Sequence, residues 1–245
     1  PGDMGVIERF CEPMITLAYL AGHTSRVRLG ISAYVMPYRN PVLTAKHVAT
    51  LDYLSGGRMI LGIGTGWLRE EFDALAVPFA HRGRRTDDYI EVCKALWSGG
   101  EARFDGETYR LPPVRTGPTP AQRPHPPLWI AGNSRAAIER AACCGDGWHA
   151  IDLTPSELTP LVVHLRERLA AHGRPAEAVT VSLRKGVLVR DSGTAESRPL
   201  YGDRDAIHRD LDAYCGAGLD YLVANLRQAT DLTSAMADVR GALAD

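Results

Sequence analysis

The chain is poor in the features that would commit it to an unusual setting. Its 245 residues contain no apolar run approaching the ~20 residues of a membrane span, and no basic stretch followed by an apolar one opens it, so neither an anchor nor a leader is read. Charge of one sign is also missing. With 28 basic and 29 acidic residues the formal net charge is -1, and the scattered lysines and arginines leave no electrostatic footprint for nucleic acid or an anionic membrane. The five cysteines, Cys11, Cys93, Cys143, Cys144 and Cys215, form no C-x-x-C pair, which argues against a disulfide framework and for a reducing compartment. Cys143 and Cys144 are adjacent and no H-x-x-x-H or H-E-x-x-H helix occurs, so no metal site is expected. What remains is the expectation of a cytoplasmic protein with a small-molecule partner.

What is present is a long enough chain, 45% hydrophobic, to bury a large core as one α/β domain over residues 1–245. Short β-branched or apolar runs alternate with helical-period segments, the pattern of repeated βα units on a parallel sheet. Strands are expected at 27–36, 59–63, 128–131, 148–151, 179–189 and 221–224. Asn40 followed by Pro41 reads as an N-cap and first helical position, and Gly56-Gly57 as the stop of that helix. The last two helices are expected to bury Ile207, Leu211 and Cys215, then Leu232, Met236, Val239 and Leu243. Two segments interrupt the rhythm and read as insertions. The first, at about 98–127, carries an Asp105-Gly106 hairpin signal and a proline-rich connection; the second, at about 190–203, is polar and reads as a mobile loop.

The stretch RMILGIGTGW packs Gly62, Gly64 and Gly66 behind an apolar strand. A dinucleotide fingerprint fails on spacing, because its third glycine would fall on Trp67 or Arg69. No lysine follows, which excludes a phosphate-binding loop of the P-loop type. A flexible strand exit, or backbone N–H groups that approach a phosphate at the carboxyl end of a strand, both remain open. A second cluster, Gly132-Asn133-Ser134, lies between a strand and a helix whose first-turn N–H groups and positive dipole end would face outward together.

At this point the residues resemble a known family. The ordered series RNP, LDYLSGGR, GIGTGW, EFDALAVPF and HRGRR, followed by FDGETYRL and PHPPLWIAGNS, is similar to the luciferase-like monooxygenase superfamily and, within it, to the group dependent on the deazaflavin coenzyme F420; Ala76 stands where the family usually has glycine. The resemblance implies a TIM (β/α)8-type barrel. Matching the units leaves the first βα unit and the second strand without counterparts, with residues 1–22 resembling the rest of the second helix, so an N-terminally incomplete barrel is expected.

What the resemblance implies about residues is carried over position by position. The family's third strand holds a bulge on a non-prolyl cis peptide behind the cofactor ring, and the matching bond is Ser32-Ala33. Phosphate contacts fall on Gly64, Thr65 and Gly66 and on Gly132, Asn133 and Ser134, and Arg39 would position polar groups of the cofactor. Trp67 stands where sugar-phosphate dehydrogenases of the family keep a glutamate, so that substrate class is not expected; Trp67 is instead a candidate for stacking on the ring or lining the substrate pocket. His149, at a strand exit, is a candidate proton donor. His81 with Arg82, Arg84 and Arg85 reads as a helix start paired with Asp87 and Asp88, or as a basic turn that meets an acidic cofactor tail. The implied activity is hydride transfer between F420 and a small organic substrate in a homodimeric oxidoreductase. The alternatives are a luciferase-like monooxygenase using FMN as reduced flavin, and a non-catalytic flavin- or deazaflavin-binding protein with an incomplete barrel.

Overall fold

The computed structural model describes residues 11–189, 200–226 and 232–242. The chain divides into two compact units, Pro1–Leu128 and Trp129–Asp245.

The first unit opens with α1 (Pro13–His23), whose N-cap Glu12 accepts a hydrogen bond from the Ile15 N–H at 3.0 Å. One strand was expected over 27–36; the structure instead gives β1 (Leu29–Gly30), a break, β2 (Tyr34–Val35) and a single 3-10 turn (Met36–Tyr38). The reason lies in the register against the next strand, β3 (Met59–Gly64). Gly30 pairs with Ile60 and Tyr34 with Ile63, so the outer chain carries one residue more than its partner and must bulge. Gly62 makes room for that bulge, because a Cβ there would stand 1.9 Å from the Ile31 carbonyl oxygen.

Between β2 and β3 runs α2 (Pro41–Ser55), capped as its sequence predicts: Asn40 accepts from the N–H groups of Val42 and Leu43, and Gly56 closes the helix at φ 69°. Asp52, fully buried on α2, is satisfied by the Gln122 backbone N–H at 2.9 Å and side-chain amide at 2.7 Å. Beyond β3 come α3 (Arg69–Ala74) and α4 (Arg82–Trp97), and then the antiparallel hairpin of β4 (Glu101–Asp105) and β5 (Arg110–Arg115). Asp88 does not pair with the arginines that precede it. It accepts from Thr108 N–H at 2.6 Å, Thr108 Oγ1 at 2.7 Å and Tyr109 N–H at 3.2 Å, which fastens the hairpin turn to α4.

The second unit alternates β6 (Leu128–Ala131), α5 (Arg135–Cys144), β7 (Gly147–Ile151), α6 (Pro155–Ala171), β8 (Thr180–Val189), β9 (Leu200–Gly202), α7 (Arg204–Gly216), β10 (Tyr221–Asn225) and α8 (Leu232–Ala242). The strands pair in parallel in the order β6, β7, β8, β10, with β9 parallel to β8. Parallel neighbours need a crossover, and helices supply one between each pair on the main path. The segment expected to be mobile ends in β9 and in Asp203, whose side chain caps α7 by accepting from Ala206 N–H at 2.9 Å; residues 190–199 of it lie outside the described ones.

The burial expected on the last helices is corrected in part. Ile207 and Val239 are buried, but Cys215 and Met236 face solvent and Tyr214 takes the inner position instead. A buried tyrosine suits this place because its hydroxyl donates to the Leu153 carbonyl at 2.7 Å, while the adjacent Cys215 points to solvent.

Candidate functional site

In the first unit the carboxyl end of β3 is shaped by its glycines, and each has a different reason to be there. Gly62 yields to the Ile31 backbone. Gly66 has φ 79°, and a Cβ on it would meet Phe72 and Val35 at 2.7 and 2.8 Å. Gly64 alone has ordinary room, its nearest neighbour being Ala33 Cβ at 3.5 Å. The Ser32–Ala33 peptide bond is cis, the geometry that the family resemblance implies at that position. Thr65 is partly exposed and Trp67 is 75% exposed, so the turn presents backbone and an indole to solvent.

Residues around this turn hold it from behind. Arg82 donates from Nε to the Gly66 carbonyl at 3.0 Å and lies 4.0 Å from the Phe79 ring centre. Tyr38 donates its hydroxyl to Glu71 and packs edge-on against Phe72, with ring centres 4.7 Å apart. Burial, joined by that bond to Glu71, pushes the Tyr38 hydroxyl well above its ordinary range, so Tyr38 stays a neutral donor. Arg39 is directed elsewhere: its guanidinium lies 4.3 Å from the Tyr34 ring centre and pairs with Glu12 at 3.2 Å. It lines an apolar groove of about 880 Å3 between α1 and α2, together with Ile15, Tyr34, Leu43, Thr44 and Leu54; Gly64, Thr65, Gly66 and Trp67 do not line that groove.

In the second unit the Gly132-Asn133-Ser134 cluster is largely occupied with its own fold. Gly132 donates its N–H to the His149 carbonyl and accepts from Trp148 Nε1 at 2.8 Å. The Asn133 side chain bonds the Ile151 backbone twice, donating to its carbonyl at 2.7 Å and accepting from its N–H at 2.9 Å, as a neighbouring strand would. Ser134 caps α5 by accepting from Ala137 N–H. What remains for a ligand is the backbone, where the first-turn N–H groups of Arg135 and Ala136 have no carbonyl within the helix to meet.

His149 lies on β7, 2% exposed, and bonds Ser182 on β8 through Nδ1 at 2.8 Å. Because the Ser182 hydroxyl donates to the Trp148 carbonyl, it accepts from His149, which puts the imidazole proton on Nδ1. Burial, aided by the positive charge of Arg184, pushes the His149 pKa down to about 4, so at neutral pH the ring is uncharged. A proton donor working near pH 7 does not have that profile.

Sequence reading passed over two groups. Lys185, 2% exposed on β8, donates to the Leu153 carbonyl at 3.0 Å and lies 3.5 Å from Asp152, which holds a left-handed φ of 54°. Its signal was present, since Lys185 falls in phase with Val181, Leu183 and Val187 on the core face of β8. The other is the stacking of Arg69 and Arg82 on Phe79, which no spacing rule announces. Among the described residues no group of three or more His, Cys, Asp or Glu could hold a metal ion, and no helix is long and apolar enough to cross a membrane.

Parallel strands that alternate with helices and end in glycine turns are the arrangement from which α/β barrels are built. Comparison with known proteins narrows it: residues 3–230 match the luciferase-like monooxygenase family, and the chain belongs to that family. It is 35% identical over 176 residues to an uncharacterised protein of Mycobacterium tuberculosis, an alignment covering 71% of this chain and 60% of that protein. It is 31% identical over 169 residues to the FMNH2-dependent dimethylsulfone monooxygenase of Pseudomonas putida, covering 67% of this chain and 46% of that one. The matched part thus spans less than two thirds of the length of these relatives. Among solved structures, the coenzyme F420-dependent tetrahydromethanopterin reductase of Methanopyrus kandleri superposes with a TM-score of 0.86 at 17% identity, covering 96% of this chain and 87% of that one, a likeness of fold alone.

Proposed function

We propose that this protein is an oxidoreductase that binds coenzyme F420 and moves a hydride between the deazaflavin ring and a small organic substrate. The observation that carries this reading is the ledge at the β3 exit. Gly62 admits the Ile31 carbonyl, the chain bulges at Ser32 and Ala33, and Gly64 beside it keeps no side chain in the way. Such a ledge suits a planar ring that needs close backbone approach on one face.

The bound ring supplies hydride chemistry, and the protein supplies orientation, anion anchoring and exclusion of water. Ser32 and Ala33 would back the ring, and the N–H groups of Gly64, Thr65 and Gly66 would face its phosphate arm. In the second unit, taken by itself, the Gly132-Asn133-Ser134 turn is proposed as an anion contact made through backbone, since its side chains are engaged. Trp67 is free to stack on a ligand.

A second reading, reduced FMN with dioxygen, is favoured by the 31% identity to an FMNH2-dependent monooxygenase. Titrating the full-length protein with F420 and with FMN, oxidised and reduced, distinguishes the two. Saturable F420 binding and substrate-dependent bleaching of its absorbance are expected. Tight FMN binding, no F420 affinity and flavin-dependent oxygen uptake would sink the first reading and establish the second.

A further inference from the structure

Among the described residues, Lys185 on β8 is the only lysine or arginine buried from solvent, at 2% exposure. Methionine would fill the same space without the cost of taking an ammonium out of water. Nor does the carbonyl that Lys185 meets depend on it. Lys185 donates to the Leu153 oxygen at 3.0 Å, but the Tyr214 hydroxyl of α7 donates to the same oxygen at 2.7 Å, so that group is satisfied without the lysine. What the lysine adds is a second direction of hold, from β8, together with an ion pair to Asp152 at 3.5 Å.

The turn it grips has to be held. Asp152 has a φ of 54°, which a residue with a side chain rarely adopts, and its N–H prolongs the β7–β8 ladder by donating to the Arg184 carbonyl at 2.9 Å. One residue earlier, the Ile151 backbone carries both bonds from the Asn133 side chain, at 2.7 and 2.9 Å. The β6–α5 turn thus grips Ile151, β8 grips Asp152 and Leu153, and α7 grips Leu153. Asn133 lies between Gly132, at φ 123°, and the Ser134 cap of α5, so a drift of Ile151 is passed to the turn that opens that helix.

We propose that Lys185 is a positioning residue. By fixing Asp152 and Leu153 it fixes Ile151 and, through the Asn133 clamp, the direction of the backbone N–H groups at the start of α5. It touches no ligand itself. The role rests on the anion contact proposed for that turn, and it gives a buried charge a purpose that packing does not.

Inorganic pyrophosphate, titrated into the full-length protein at low salt and followed by phosphorus NMR, is the probe. K185M and N133A should each bind it at least about threefold more weakly than the parent. The double variant should bind no more weakly than N133A, because a residue that acts through Asn133 then has nothing to act on. A lysine serving only the fold would not produce that coupling. R168Q, which breaks the Glu139 pair between α5 and α6 in the same unit, should bind as the parent does. K185Q keeps a donor and should fall between K185M and the parent, which keeps the test open if the methionine variant does not fold. Parent-like binding in the lysine variants that fold, or losses that multiply in the double variant, overturns the positioning role while the N133A loss upholds the anion contact. Parent-like binding in N133A overturns the anion contact and the positioning role with it.

Discussion

Gly62 is buried beside the Ile31 carbonyl so closely that a methyl group there would overlap it at 1.9 Å, while the same methyl on Gly64 meets nothing nearer than 3.5 Å. Overpacking that the backbone itself must absorb costs about 3 kcal/mol or more, whereas an alanine in ordinary contact costs under about 1 kcal/mol. Denaturant unfolding of G62A and G64A should therefore differ sharply. G64A should fold like the parent, and any loss of cofactor affinity in it would be a ligand effect. His149 gives a second prediction at this scale. Its folded pKa of about 4 lies below the ordinary value of 6.5, so the unfolded chain binds the proton more readily between those values. The stability it contributes is present above pH 6.5 and is lost as pH falls toward 4, by on the order of 3 kcal/mol. Unfolding free energies measured across that window should show this slope in the parent and lack it in H149Q.

At the scale of elements, the loop after β7 is held from two sides. Asn133 bonds the Ile151 backbone, and Lys185 and Tyr214 both donate to the Leu153 carbonyl. Removing the Asn133 amide leaves two backbone groups seeking water, and N133A should cost about 1–2 kcal/mol in chemical denaturation. K185M should cost less than K185A, because methionine fills the buried space and the Leu153 carbonyl keeps its bond from Tyr214. Equal costs in the two variants would show that the ammonium, not the packing, holds the loop. Most elements here were legible in the sequence. The Asn40-Pro41 cap, the Gly56 stop and the Asp105-Gly106 hairpin are local signals and stand where they were read. The broken strand at 29–35 was not legible from periodicity, because its break is set by the register against β3, a contact distant in sequence.

At the scale of the whole molecule, the cofactor binding proposed above is the property that would couple to global stability. A ligand that binds only the folded protein at about a hundred times its dissociation constant stabilises it by roughly 2.7 kcal/mol. The unfolding midpoint of the full-length protein should rise with F420 and follow its concentration. An equal rise with FMN, and none with F420, would favour the reduced-flavin chemistry of the Pseudomonas putida relative.

The sequence by itself determined the alternation of strands and helices, the caps and turns, and the family, because each is written in residues close together in the chain. It also placed glycines at the exit of β3. Only the tertiary structure separated them: Gly62 yields to the Ile31 backbone, Gly66 to a buried phenylalanine, and Gly64 alone has ordinary room for a side chain. It likewise showed the Asn133 side chain clamping the Ile151 backbone and His149 as a buried, neutral ring. Such roles depend on which groups lie within a few ångströms, and that is decided by packing between segments far apart in sequence.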